Sequence, residues 1–234
     1  MSGSESVKDR IGIVLYGVGN VTSVVRAVER AGAVPVLIER PGDLESAGSL
    51  ILPGVGAFGE AAMSMEVSGM ADAIKDFAQS GSLVLGICLG MQLLFDSSEE
   101  SPGARGLGLI KGGSKLLGGD DLRFGACDIR LKGEAKFKVP HTGWNEVRFK
   151  SAWPLGGMGE GKFYFTHSYQ VVPKDQSVVA GTTSLAGDGG DEGRLMVSAV
   201  VQENVMGVQF HPEKSAEAGL GLIRRFAEKA AGLQ

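Results

Sequence analysis

Over residues 11–95, short apolar runs alternate with stretches whose apolar residues recur at helical spacing, which leaves few folds open. Residues 11–16 read as a strand ending in Gly17-Val18-Gly19. Asn20 stands where it can cap the next segment, in which Val21, Val24, Val25 and Val28 share a helical face. Gly32 closes that helix, and residues 34–38 read as the next strand. Residues 49–52 are a third strand, running into Pro53-Gly54-Val55-Gly56. Ala71, Ile74, Phe77 and Ala78 mark a helix stopped by Gly81; residues 82–87 return to strand, and residues 91–95 start a helix. Strand and helix in such short order predict a parallel sheet with helices on its faces.

The second half has a different rhythm. Residues 163–165, 169–172, 178–182, 196–201 and 205–210 are short strand-like runs separated by turn residues. They read as an antiparallel or mixed extension of the first sheet. Residues 188–193 form a polar turn, expected at a hairpin tip. Leu222, Ile223, Phe226 and Ala230 share one face of a closing amphipathic helix over residues 215–230. With 234 residues, no internal repeat and no Pro- or Ser-rich linker, the chain is expected to form one domain.

A net charge of -4 argues against a nucleic-acid or anionic-membrane binder, which needs a basic surface. The polar residues 1–10 do not resemble a secretory signal, and the apolar run over 82–95 falls short of the roughly 20 residues that span a bilayer. Two cysteines, Cys88 and Cys127, form neither a disulfide framework nor a C-x-x-C motif, which points to the cytosol. His141, His167 and His211 lie far apart, so no zinc site is expected.

The strongest chemical signal is Gly86-Ile87-Cys88-Leu89-Gly90, which follows an apolar strand and opens a helix. It is the cysteine form of the nucleophile elbow, a turn so tight that side chains two places to either side would clash. Such a turn lifts the Cys88 thiol out of the sheet at a helix N-terminus, where the dipole favours thiolate. It also aims the Leu89 N–H at an oxyanion. Cys127 has no such flanks and reads as an inert strand residue.

A cysteine nucleophile needs a base, and the base an orienter. His211-Pro212-Glu213 offers both. Pro212 keeps His211 extended, and in an extended segment residues two apart share a side, so Glu213 can reach the ring nitrogen turned away from Cys88. His141 and His167 have no acid two places on and are expected to be structural or to line the site. The order Cys, His, Glu differs from that of the α/β-hydrolases, in which the acid precedes the histidine.

Gly86-Ile87-Cys88-Leu89-Gly90-Met91-Gln92 and residues 207–215, Gly-Val-Gln-Phe-His-Pro-Glu-Lys-Ser, closely resemble the class I (triad) glutamine amidotransferases. Pro53-Gly54-Val55-Gly56, Pro140-His141-Thr142-Gly143-Trp144-Asn145 and residues 163–169 are similar to the glutaminase branch that serves imidazole glycerol phosphate synthase. The resemblance covers about residues 11–230. It implies a three-layer α/β sandwich around a mixed, largely parallel central sheet, with a flexible extension over residues 1–9 and the amidotransferase domain over 10–234.

The resemblance further implies glutamine hydrolysis by Cys88, His211 and Glu213 without cofactor or metal, with an oxyanion hole at Val55, Gly56 and Leu89. Gln92, Glu100, Ser168 and Tyr169 are its implied glutamine contacts, with Asp96 and Glu99 as neighbouring alternatives to Glu100. The implied partner is a (β/α)8-barrel cyclase in a heterodimer, docked near Asn20, Trp144 and Lys214, which receives ammonia for a step of histidine biosynthesis. The two glycines of the 53–56 loop let a peptide plane turn at little steric cost, and the loop is expected to turn when the partner holds its nucleotide. Arg130, Lys132, Lys136 and Lys138 read as a solvated face. Leu15 and Thr142 depart from the family, which often has Asp and Met there. Three alternatives remain: a glutaminase feeding a vitamin B6 or surface-sugar synthase, a cysteine hydrolase of other substrates, and a binding module without activity.

Overall fold

The structure, a computed structural model, describes residues 7–17, 20–117, 139–150, 160–185 and 194–232. Cys127, the basic stretch at 130–138, the turn at 188–193 and residues 1–6 lie outside the described residues. Val7–Asp9 form a 3-10 turn ahead of the first strand.

The strands are β1 (Arg10–Val14), β2 (Val34–Ile38), β3 (Ser49–Leu52), β4 (Leu83–Ile87), β5 (Ser97–Ser98), β6 (Gly112–Leu116), β7 (His141–Phe149), β8 (Glu160–His167), β9 (Tyr169–Pro173), β10 (Val179–Leu185), β11 (Arg194–Gln202) and β12 (Val205–Val208). The helices are α1 (Val21–Arg30), α2 (Phe58–Val67), α3 (Met70–Gln79), α4 (Leu89–Leu93) and α5 (Ala216–Ala230). A nine-stranded sheet runs β2-β1-β3-β4-β12-β11-β10-β7-β8. From β2 to β12 neighbours are parallel; from β12 to β8 they are antiparallel.

Alternation along the strands makes two cores. Leu50 and Leu52 of β3 face α2, α3 and α4, where Phe58, Met65 and Ile74 are fully buried or nearly so. Ile51 turns to the other face and packs with Val24 and Val28 of α1 and with Leu222, Ile223 and Phe226 of α5. Helices on both faces of a mixed sheet make the expected three-layer sandwich. No helix among the described residues is long and apolar enough to cross a membrane.

Three expectations are corrected. Residues 169–172 do not extend the first sheet: β9 pairs antiparallel with β6, and with β5 these form a separate three-stranded sheet. Asn20 holds the N-cap position of α1, but its side chain makes no capping hydrogen bond. The helix after Cys88 begins at the elbow itself and is only five residues long, so its dipole is a small share of a full helix's.

Candidate active site

β4 and β12 lie side by side with Ile87 opposite Val208, and Cys88 N–H donates to Val208 C=O at 2.7 Å. The chain leaves both strands at one end of the sheet, which brings Cys88 and His211 together across 123 positions of sequence. Cys88 sits at φ 54 and ψ −108, a strained conformation for a residue with a side chain. The elbow glycines are close-packed. A Cβ on Gly86 would lie 2.6 Å from the Gly90 carbonyl oxygen, and one on Gly90 would lie 1.8 Å from the Leu52 oxygen.

His211 is extended, as Pro212 requires, but Pro212–Lys214 form a 3-10 turn rather than continuing the extension. That turn still folds Glu213 back onto the ring, with His211 Nδ1 2.8 Å from Glu213 Oε1. Both side chains are almost fully buried. The opposite nitrogen, Nε2, is buried with no regular hydrogen-bond partner. Burial works against the imidazolium, yet Cys88 and Glu213 beside it hold the His211 pKa up at about 9. The segment is tied to β8: His211 N–H donates to Tyr164 C=O at 2.9 Å, and Ser215 Oγ accepts from Tyr164 N–H while donating to His211 C=O.

In front of Cys88 lies a pocket of about 320 Å³ lined by Val55, Gly56, Cys88, Leu89, Gln92, Glu100, Pro140, Thr166, His167, Ser168 and Tyr169. The expected oxyanion and glutamine contacts all lie on its wall. Among the acids, Glu100 faces it and accepts from Phe58 N–H at 2.8 Å, at the start of α2. Asp96 is instead paired with Lys111 and Gly112 N–H, and Glu99 with Lys115 and Leu116 N–H. His211 and Glu213 are buried and do not line this pocket. Of the expected docking residues, Asn20 and Lys214 are exposed. Trp144 is 54% exposed, which excludes a core role, and its ring meets Tyr164 edge-on.

Sequence reasoning assigned no role to three groups near the thiol. The Thr166 carbonyl lies 3.9 Å from Cys88 Sγ, and Gln209 Nε2 lies 3.6 Å from it. Buried Tyr16 donates its hydroxyl to Pro53 C=O at the root of the 53–56 loop, and burial and the charge of Cys88 push its pKa up, so it stays a donor. Tyr16 carries no local signal, and Thr166 lay within the 163–169 segment with no role assigned to its carbonyl. Gln209 lay within the His-Pro-Glu motif, unassigned.

The pattern of the family described as "Glutamine amidotransferase class-I" matches residues 16–230. The protein named "Imidazole glycerol phosphate synthase subunit HisH" of Moorella thermoacetica is 40% identical over 93% of this chain and 94% of its own. Its namesake in Methanopyrus kandleri is 44% identical over 92% and 95%. A solved structure titled "Crystal structure of glutamine amidotransferase" superimposes with a TM-score of 0.68 at 20% identity, over 95% of this chain and 98% of that one. PurLQS of Thermotoga maritima gives 0.65 at 21%, over 96% and 97%. On the family pattern and these relatives together, the chain belongs to the class-I glutamine amidotransferases.

Proposed function

We propose that this chain is the glutaminase subunit of an imidazole glycerol phosphate synthase, hydrolysing glutamine to glutamate and ammonia. The observation that carries the chemistry is the buried His211–Glu213 pair beside a strained Cys88 that opens onto a pocket. The relatives that share the subunit's name support the pathway.

Cys88 Sγ attacks the side-chain carbonyl carbon of glutamine. The Leu89 N–H and a donor from Val55 or Gly56 receive the developing oxyanion. His211, protonated near neutral pH, gives its Nε2 proton to the departing nitrogen, and ammonia leaves a glutamyl thioester. Neutral His211 then takes a proton from water as the water attacks; the C–S bond breaks, and glutamate and the thiol are released. Glu213 holds Nδ1 throughout.

The α-ammonium of glutamine meets Glu100, whose second oxygen is not used by Phe58 N–H. Ser168 and Tyr169 receive the α-carboxylate. Gln92 spends its NH2 group on Tyr169 C=O and Gln209, so it offers the substrate its Oε1. Ammonia passes to a (β/α)8-barrel cyclase docked on the face that carries Asn20, Trp144 and Lys214.

Glutamate release from glutamine tests this reading, with the chain alone, with the cyclase, and with the cyclase plus its nucleotide. Strong release only in the full mixture, absent in Cys88→Ala, is expected. Release indifferent to the cyclase would move the chain to another ammonia-using synthase. No Cys88-dependent release under any condition would overturn the glutaminase reading.

A further inference from the structure

Gln209 lies two residues before His211 and is fully buried. Its Nε2 is 3.6 Å from Cys88 Sγ, and its Oε1 is 3.4 Å from Gln92 Nε2. Which end of an amide is nitrogen follows from its partners. Here the partners decide, starting from the carbonyl of Tyr169, which can only accept. That oxygen lies 3.2 Å from Gln92 Nε2 and 2.8 Å from His167 Nδ1. Gln92 therefore turns its NH2 group towards Tyr169. The second N–H of that group meets Gln209, which must answer with its oxygen. Gln209 is left with its NH2 group to face the sulfur.

We propose that Gln209 is a catalytic residue whose Nε2–H donates a hydrogen bond to Cys88 Sγ, stabilising the thiolate and aiming it at the substrate carbon. This deepens the glutaminase reading and rests on it for its substrate. A donor gains most when its acceptor is charged, and a buried site has little water to compete. Thr166 C=O, on the same sulfur, accepts only from the S–H form. Gln209 and Thr166 therefore favour opposite protonation states. His211 gives its proton to the departing ammonia and regains one only as water attacks, so its support of the sulfur lapses in between. The amide donates through the whole cycle, including the step in which thiolate leaves the thioester. The titratable groups around the sulfur are His211 and Glu213 after β12, His167 at the end of β8, Tyr16 after β1 and Glu100 across the pocket.

The test is the rate of Cys88 alkylation by iodoacetamide from about pH 6 to about pH 9, where thiolate fraction governs reactivity. Mass spectrometry of the Cys88 peptide keeps Cys127 out of the measurement. Gln209→Met preserves length and removes both N–H groups. At neutral pH it is expected to react about tenfold more slowly, the scale of one hydrogen bond to a charged group, and to approach the parent rate in alkali. Gln209→Glu keeps an oxygen for Gln92 but presents a carboxylate to the sulfur, and is expected to be slower still at neutral pH. It decides the matter if Gln209→Met does not fold. A folded variant with the parent profile overturns the proposal. So does one slowed equally at every pH, which would mean lost access rather than lost charge stabilisation. Alkylation needs no glutamine turnover, so a parent chain that alkylates normally but releases no glutamate would sink the glutaminase reading alone.

Discussion

At the scale of single residues, the protonation pattern follows from which buried groups have partners. His167 is almost fully buried, and burial, with the charges of His141 and His211 nearby, brings its pKa down to about 3. As a neutral ring it donates from Nδ1 to Tyr169 C=O and accepts at Nε2 from His141 Nδ1, 3.0 Å away. His211, at least as buried, is pulled the other way because Cys88 and Glu213 flank it. Its folded pKa of about 9 lies above the ordinary 6.5, so between those values the folded chain binds more protons than the unfolded one. The stabilisation is full below about pH 6.5 and is lost as pH rises through about 9, with a slope of up to about 1.4 kcal/mol per pH unit. Glu213→Gln keeps an acceptor but removes the charge, so the alkaline loss should be smaller and be complete at lower pH. Thermal unfolding midpoints across that range would show it, and coincident curves for parent and variant would refute Glu213 as a source of the shift.

At the scale of elements, the elbow is a three-body contact between β3, β4 and α4. An alanine methyl at Gly90 would collide with the Leu52 carbonyl oxygen, which belongs to the sheet and cannot rotate away. Gly90→Ala should cost about 1–3 kcal/mol or more by overpacking and should abolish glutamine hydrolysis by displacing Cys88. Gly221 in α5 meets nothing within 4 Å of a built Cβ, so Gly221→Ala should instead stabilise the fold by roughly 0.8–1 kcal/mol. Denaturant midpoints of the two variants should move in opposite directions. The same physics explains what the sequence displayed. β2 and β3 match their expected bounds because each is a short, nearly continuous apolar run set off by turn residues, and β3 is buried along its whole length. α2 went unread because Met63 and Val67 are apolar yet exposed, which blurs its helical period. β6, Gly-Gly-Ser-Lys-Leu, has no apolar alternation, and its pairing with β9 depends on distant residues. In the site, Cys88, His211 and Glu213 announce themselves through neighbours in sequence. The contributions of Tyr16 and Thr166 depend on which strands end beside Cys88, and sheet order is not written locally.

At the scale of the molecule, the β7–β8 hairpin links the outer face to the pocket. Trp144 on β7 stands opposite Tyr164 on β8, whose backbone holds the His211 segment through both its N–H and its C=O. Further along the same pair, His141 faces His167, and Thr166 and His167 form pocket wall. A partner that seats on Trp144 would thus press on a ribbon that carries the base at one point and the wall of the substrate pocket at another. Trp144 packs too little to matter for folding, being more than half exposed, so Trp144→Ala should leave the unfolding midpoint nearly unchanged. Buried tryptophans at interfaces commonly contribute about 2 kcal/mol or more, so affinity for the cyclase should fall roughly thirtyfold. Glutamine KM of the isolated chain should hold, because Trp144 does not line the pocket. At saturating cyclase, any remaining loss of activation would belong to the ribbon itself rather than to binding. Titrating cyclase against glutamate release separates the two: a shifted midpoint with the parent plateau means Trp144 only docks, and a lowered plateau means it also transmits. An unchanged midpoint and plateau would remove Trp144 from the docking face altogether.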